Sequence, residues 1–158
     1  GYNASLRSSL YPMFDLRIGW GTTGMASANK GMDDSKYYWT PETGVDVTCR
    51  IDEMDFHFTA SYKYTGKTPV LYITGDDEIT LSYQEAYHNL DFTVLKSFFK
   101  KQLSVSTGLR NILDVKNITS TGGSGGIHSQ GGNSVPVAWG RTVFVKITYG
   151  FQKDEKKK

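Results

Sequence analysis

The sequence predicts an all-β fold, an antiparallel up-and-down sheet of about seven strands, and two observations carry the prediction. Apolar and polar residues alternate along several segments, whereas no amphipathic helical pattern is sustained over about ten residues. The composition points the same way, because aromatic residues make up 13% of the chain and such residues are favoured in strands.

The clearest alternation begins at Met54 and ends at Thr65, where apolar or aromatic residues take turns with polar ones. Six further segments alternate in the same way, the first of them weakly: residues 4–10, 14–20, 45–52, 90–94, 103–110 and 142–151. With these segments extended by a few residues, the strands approach the roughly nine to eleven residues with which a tilted strand crosses a bilayer.

The connections between these strands alternate in length. Short turns are predicted at residues 11–13, 52–55 and 98–102, and long segments at residues 21–42, 67–87 and 113–138. Outer-membrane barrels have short turns on the periplasmic side and long loops on the outside. The sequence therefore predicts transmembrane barrel strands over residues 1–151, with the long segments as extracellular loops, and a polar periplasmic tail over residues 152–158.

The aromatic residues favour the same arrangement, because tyrosine and tryptophan concentrate at the two membrane interfaces. The residues expected at these interfaces are Trp20, Tyr62, Tyr64 and Trp139 near the long loops, and Tyr149 and Phe151 near the short turns. The alternative is that these rings are half-buried in the core of a soluble β-sandwich.

Charge and reactive residues exclude several function classes. The formal net charge of +2 is too small to predict a nucleic-acid surface. The single cysteine, Cys49, rules out an internal disulfide, and no nucleophile with a base, phosphate loop or catalytic carboxylate pair is recognisable, so no enzymatic activity is predicted. His57, His88 and His128 are too widely spaced to suggest a zinc site, and each is expected to be a polar interior or loop residue. No metal or cofactor is predicted.

The last 60 or so residues carry motifs that resemble a known family. The segment 90–94, a short turn, and the segment 103–117 with its Gly108-Leu109-Arg110-Asn111-Ile112-Leu113-Asp114 sequence resemble the closing strands of TonB-dependent outer-membrane receptors. The final segment, from Trp139-Gly140-Arg141 to Tyr149-Gly150-Phe151, resembles their last strand. The chain departs from the family in the lysine-rich tail after Phe151, and neither a plug domain nor a TonB-contacting segment is visible.

The resemblance implies about seven strands of a larger, 22-stranded barrel in the outer membrane of a Gram-negative bacterium. It implies import of a scarce large solute, a metal chelate such as a siderophore or haem, or cobalamin. Its partners would be outer-membrane lipid, the rest of the barrel and the plug in the same or another chain, and TonB through an N-terminal part. The residues expected to face the interior and to contact ligand or plug are Arg50, Asp55, His57, Lys63 and Arg110.

Three other functions stay open at this point. One is a small self-contained outer-membrane barrel that acts as an adhesin or envelope protein; another is a glycan or peptide importer of the same family, with a possible surface lipoprotein partner. The third is a soluble ligand-binding β-protein. The membrane predictions depend on Phe56, Phe58, Val143 and Val145 facing hydrocarbon, and they fail if these side chains pack inside a closed core of this chain.

Overall fold

The computed structural model describes residues 1–26, 37–73, 79–121 and 134–151, and nearly all of the regular structure is β. The strands are β1 (Tyr2–Tyr11), β2 (Phe14–Ala26), β3 (Tyr37–Ile51), β4 (Phe56–Thr65), β5 (Thr68–Ile73), β6 (Ile79–Gln84), β7 (Tyr87–Phe98), β8 (Leu103–Arg110), β9 (Asn117–Thr119), β10 (Ser134–Pro136) and β11 (Thr142–Tyr149). Seven of them form one antiparallel sheet in the order β1-β2-β3-β4-β7-β8-β11. The prediction of an all-β fold with about seven antiparallel strands is confirmed.

The three short connections lie where the alternation predicted them. One turn joins the paired residues Tyr11 and Phe14, and a single 3₁₀ turn at Asp52–Met54 joins β3 to β4. The turn between β7 and β8 contains three successive residues with left-handed backbone, at Phe99, Lys100 and Lys101. In the described residues, no helix is long and apolar enough to cross a membrane.

The strand register places the apolar residues on one face of the sheet. Leu6 opposes Ile18, Ile18 opposes Val45, Val45 opposes Tyr62, and Tyr62 opposes Leu90. Since side chains alternate between faces along a strand, every second residue of each strand lies on the same face as this row. We call this side of the sheet, which carries Val143, Val145 and Ile147 on β11, the apolar face, and the opposite side the polar face.

The apolar face is not covered by a second layer in the described residues. Val143, Val145 and Ile147 remain 66–69% exposed. In the part of the chain that the structure describes, the buried apolar side chains are those of Pro69 and Ile118, both in the long connections. Phe56 and Phe58 are half-buried, against each other at 5.7 Å between ring centroids. None of these four predicted lipid contacts (Phe56, Phe58, Val143, Val145) packs inside a closed core.

The long connections contain strands of their own. β5 pairs with β6, and β9 pairs with β10. The two pairs are joined by a bridge between Gln84 and Ser120 and by a hydrogen bond from the Glu85 N–H to the Thr119 carbonyl at 2.8 Å. Ile118 is buried in this region, so the tightest packing lies between the long connections and not within the large sheet.

Strands β2 and β3 continue into the segment that was predicted as the first long loop. Their pairing extends as far as Ala26 and Tyr37, and the side chain of Trp39 lies over Gly24. A Cβ atom at Gly24 would come within 2.8 Å of the Trp39 ring, so a larger residue there would require that ring to shift. Residues 27–36, and the predicted tail at 152–158, lie outside the described residues.

The sheet is open at both edges in the described residues. β1 pairs with β2 alone and β11 with β8 alone, so β1 and β11 do not meet to close a barrel. An open strand edge exposes unpaired backbone N–H and C=O groups, which can pair with further strands.

Candidate functional site

Four of the five residues predicted to face a polar interior share the polar face. Arg50 directly opposes His57, and Lys63 lies six residues further along β4. Arg110 lies on the same face at the end of β8, where its guanidinium stacks 4.8 Å from the ring of Phe144. The sheet therefore presents these side chains on one surface, spread over several strands.

Asp55 lies in a turn instead of a strand. Its backbone is left-handed, with φ of 52°, and its N–H donates to the Asp52 carbonyl at 3.2 Å. Its own carbonyl accepts a hydrogen bond from the N–H of Ser97 at 3.0 Å. The role of Asp55 in this structure is to close the turn before β4, because the 3₁₀ turn at 52–54 ends the alternation that the sequence suggested.

Asp15 is the centre of a charged cluster that sequence reasoning missed. Its carboxylate accepts a hydrogen bond from the Ser9 hydroxyl at 2.6 Å and forms ion pairs with Arg50 and, at 3.8 Å, with Arg7. The carboxylate is largely enclosed, with 13% of the side chain exposed. The alternation along β2 is enough to predict that Asp15 lies on the polar face. That two arginines meet there could be predicted only from the pairing of β2 with its neighbouring strands.

The neighbouring row of the polar face holds two arginines side by side. Arg7 directly opposes Arg17, and like charges opposed across strands are destabilising. Arg17 in turn opposes Asp46, yet neither makes an ion pair within the described residues. Among the described residues, Arg17 and Asp46 therefore face each other across the strands without an ion pair, at a groove of about 240 Å³.

A larger groove lies beside this cluster, on the half of the polar face nearer the long connections. Gly19 and Gly21 on β2 and Gly44 on β3 form its floor, and Gly19 directly opposes Gly44. Its volume is about 570 Å³. One wall is an ion pair between Lys63 and Glu42 at 2.8 Å. We call this depression the glycine groove.

Asn111 closes a tight loop after β8. Its side chain is 94% buried, its backbone is left-handed, and its amide group bonds both the N–H and the carbonyl of Val115, at 3.1 and 2.9 Å. The backbone N–H of Asn111 donates to the Asp91 carboxylate at 2.8 Å, which ties the loop to β7. Asparagine suits this place because it tolerates left-handed backbone and mimics a turn.

The Gly140-Arg141 sequence docks onto this loop. The Arg141 N–H donates to the Asp114 carboxylate at 3.0 Å, and its side-chain Nε donates to the Ile112 carbonyl at 2.9 Å. The Arg141 N–H holds the pKa of Asp114 below its usual value against an opposing effect of burial, and Lys116 contributes to the lowering. We call these contacts the loop clasp. They join the two sequence motifs in the folded chain.

The aromatic residues predicted at the membrane interfaces occupy different places. Tyr62 and Tyr64 lie near the long connections and Tyr149 near the short turns, whereas Trp20 lies in the middle of β2, because β2 and β3 stay paired beyond it. Phe151 follows just after the sheet, edge-on to Tyr149 at 4.8 Å. Trp139 lies outside the strands and is 99% exposed.

A histidine and a lysine lie unexpectedly on the apolar face. His88 was predicted to be an interior or loop residue, but its register opposes Tyr64, and its Nδ1 lies 2.7 Å from the Tyr62 hydroxyl. Lys96 opposes Phe56, with its ammonium 4.4 Å from that ring, and donates to the Met54 carbonyl. His128 lies outside the described residues. His88 and Lys96 both lie at the ends of the apolar face and not at its middle.

The site holds no recognisable metal centre in the described residues, because no group of three His, Cys, Asp or Glu side chains converges there. Comparison with protein-family models, with curated proteins and with solved structures gives no match to this chain.

Proposed function

We propose that this chain is a section of the barrel wall of a TonB-dependent outer-membrane transporter, which imports a scarce large solute. The observation that carries the proposal is the uncovered apolar face, continuous across seven strands. A soluble sheet hides such a face against a second layer, and the described residues offer none. Lipid hydrocarbon supplies the missing cover in a transmembrane barrel.

The height of the apolar face fits a bilayer. Strand β7 advances by ten residues from His88 to Phe98, the two ends of its apolar run. At about 3.3 Å per residue and a tilt of about 40°, this length spans about 25 Å, the height of the apolar band of outer-membrane barrels. Tyrosines at both ends fit the two membrane interfaces, and the Lys96 ammonium at the short-turn end is within reach of lipid head groups.

The polar face supports a watery interior. It carries arginines, a histidine, lysines and carboxylates on strands whose opposite side is apolar, and this alternation is what a solvated lumen requires. Arg50, His57, Lys63 and Arg110 would line that interior and contact a plug or a passing solute. The long connections, which pair with each other at one end of the sheet, would form part of the extracellular surface.

The two open edges support a larger barrel. Unpaired backbone groups are costly in hydrocarbon, so strands that span a membrane close on themselves. Further strands, on the same polypeptide or another chain, would pair with β1 and β11, and a plug would fill the lumen. TonB would act through the N-terminal part of that assembly, and no reaction would be catalysed.

The resemblance of the Trp139-Gly140-Arg141 segment favours a metal chelate, haem or cobalamin as the solute. Import of a glycan or peptide, with a surface lipoprotein, is the alternative within the same class.

Two adjacent residues on opposite faces test the proposal. In a Cys49→Ser background, Val145→Cys should be shielded from a water-soluble maleimide in outer-membrane preparations, whereas Lys146→Cys should react readily. Equal labelling of both residues would refute the membrane placement. Uptake of labelled ferric siderophores, haemin and cyanocobalamin in cells with and without TonB then tests transport.

A self-contained small barrel is distinguished by the isolated chain. If residues 1–158 alone fold in detergent to a form whose gel migration changes on heating, the small adhesin-like barrel replaces the transporter proposal. If they do not, the strands that pair with β1 and β11 must come from elsewhere. Solubility and folding without detergent would contradict both membrane functions.

A further inference from the structure

We propose that the short-turn end of the apolar face binds a phospholipid whose head group carries both a phosphate and a primary ammonium group, as in phosphatidylethanolamine. This inference rests on the proposed function, because the apolar face meets lipid only if the sheet spans a membrane. It goes further by assigning a lipid site to two neighbouring turns and by naming the head-group chemistry that fits them.

Lys96 places a cation on the surface that the proposed function gives to hydrocarbon. It opposes Phe56 on one side and Val105 on the other, two residues before the end of β7 at Phe98. A charged side chain among lipid chains is costly, so it needs a polar partner. Within the described residues Lys96 makes no ion pair, so its charge is left for a group outside the chain.

The ammonium group of Lys96 is directed towards the short turns. It donates to the carbonyl of Met54, in the turn before β4, and lies 4.4 Å from the centre of the Phe56 ring and 5.6 Å from that of Phe98. A lysine whose stem follows apolar surface while its charge reaches the membrane edge is typical of an interface. An ammonium group has three N–H donors, so donors remain for a phosphate after the bond to Met54.

Two further lysines lie just beyond the end of β7. Lys100 and Lys101 occupy the turn between β7 and β8, where both are exposed, and neither makes an ion pair in the part of the chain that the structure describes. Phe99, beside them, is 71% exposed, and its ring lies 6.5 Å from that of Phe98. Aromatic residues flank the apolar band of outer-membrane barrels at both interfaces. The lysines are therefore placed where lipid phosphates lie.

The neighbouring turn carries the opposite charge. Its carboxylates are those of Asp52, Glu53 and Asp55, and the N–H of Ser97 donates to the Asp55 carbonyl at 3.0 Å, which holds this turn against the end of β7. Among the described residues, these carboxylates form no ion pair with the three lysines. A basic turn beside an acidic turn therefore offers separate partners for an anion and a cation.

A head group with both charges fits this arrangement best. Its phosphate would accept hydrogen bonds from the lysines, and its primary ammonium group would donate to the carboxylates. Phosphatidylglycerol has no cation, so its phosphate would meet the carboxylates without compensation. The trimethylammonium group of phosphatidylcholine has no N–H to donate to them.

The test measures which phospholipid stays bound to the protein. The complete barrel that contains this chain is inserted into nanodiscs made from equal amounts of phosphatidylethanolamine, phosphatidylglycerol and phosphatidylcholine, and is then transferred to detergent for native mass spectrometry. Lys96→Gln removes the cation from the apolar face. Lys146→Gln is the matched control, because Lys146 opposes Ser106, next to the Val105 that opposes Lys96, but lies on the polar face. Asp52→Asn combined with Glu53→Gln neutralises the acidic turn.

We expect the unmodified barrel and Lys146→Gln to retain phosphatidylethanolamine in amounts within about twofold of each other, and Lys96→Gln to retain about fivefold less, the effect of one lysine at a membrane surface. The double variant should lose the preference for phosphatidylethanolamine over phosphatidylglycerol. Gel migration that still changes on heating shows that the variants remain folded.

Three outcomes would overturn the lipid site. They are equal or stronger retention of phosphatidylglycerol by the unmodified barrel, a loss in Lys146→Gln as large as that in Lys96→Gln, and unchanged lipid preference in the double variant. Failure of the proposed function would be seen separately, as equal maleimide labelling of Val145→Cys and Lys146→Cys.

Discussion

The substitution Val145→Arg gives the sharpest measure of which solvent contacts the apolar face. Val145 lies four residues before Tyr149, the aromatic residue at the short-turn end of β11. At about 3.3 Å per residue and a tilt of about 40°, that places Val145 about 10 Å from the interface, near the bilayer midplane. Arginine at the midplane of a barrel strand costs about 2–4 kcal/mol, which corresponds to about 30- to 700-fold in the folding equilibrium.

The assay is a guanidinium titration of the complete barrel that contains this chain, folded in phosphatidylcholine bilayers and followed by tryptophan fluorescence. Thr148→Arg, on the polar face of the same strand, is the control and should change the free energy of unfolding by about 0.5 kcal/mol or less, as exposed substitutions usually do. If Val145→Arg costs no more than Thr148→Arg, water contacts both faces, and the reasoning from the uncovered apolar face is wrong.

Three further predictions concern the supports of the sheet. Gly108→Ala should destabilise the protein by about 1–3 kcal/mol, because a Cβ there would lie 2.3 Å from the Phe92 carbonyl; chemical denaturation measures the loss. Asn111→Ala should cost about 1–3 kcal/mol by leaving buried backbone groups unpaired, and hydrogen exchange in the loop after β8 should accelerate. The lowered pKa of Asp114 means that its contribution to the loop clasp is complete above pH 3.8 and is lost as pH falls through the lower folded value. The amide resonance of Arg141 should report that transition, and Asp114→Asn should abolish it.

The large sheet could be predicted from sequence because its signal is local. The alternation from Phe56 to Thr65 specifies both the strand and its two faces without knowledge of its neighbours. The pair β5–β6 was harder to recognise, since β5 contains Pro69 and an unbroken apolar run from Val70, neither of which shows the alternation of a half-buried strand. Where both faces of a strand have similar surroundings, apolar and polar residues do not alternate along it, so the sequence pattern does not reveal the strand.

The candidate site was only partly predictable, because it depends on register between strands. The alternation predicts that Arg50 and Lys63 lie on one face. That Gly19 lies opposite Gly44 could not be predicted, because a long connection joins β2 to β3 and does not fix which of their residues pair. His88 shows the same limit. Its polar side chain suggested the interior, yet register places it among tyrosines on the apolar face, where it finds a hydrogen-bond partner in Tyr62.

The loop clasp has a consequence for how this chain can change during evolution. In a hairpin, the turn normally sets which residues face each other, but β8 and β11 are separated by residues 111–141, too many for a turn to do so. The contacts of Arg141 with Asp114 and Ile112 instead fix both stems of the connection at its base. The segment beyond the base can then change in length or sequence while the last two strands keep their alignment, except at β9, which the Gln84–Ser120 bridge ties to β6.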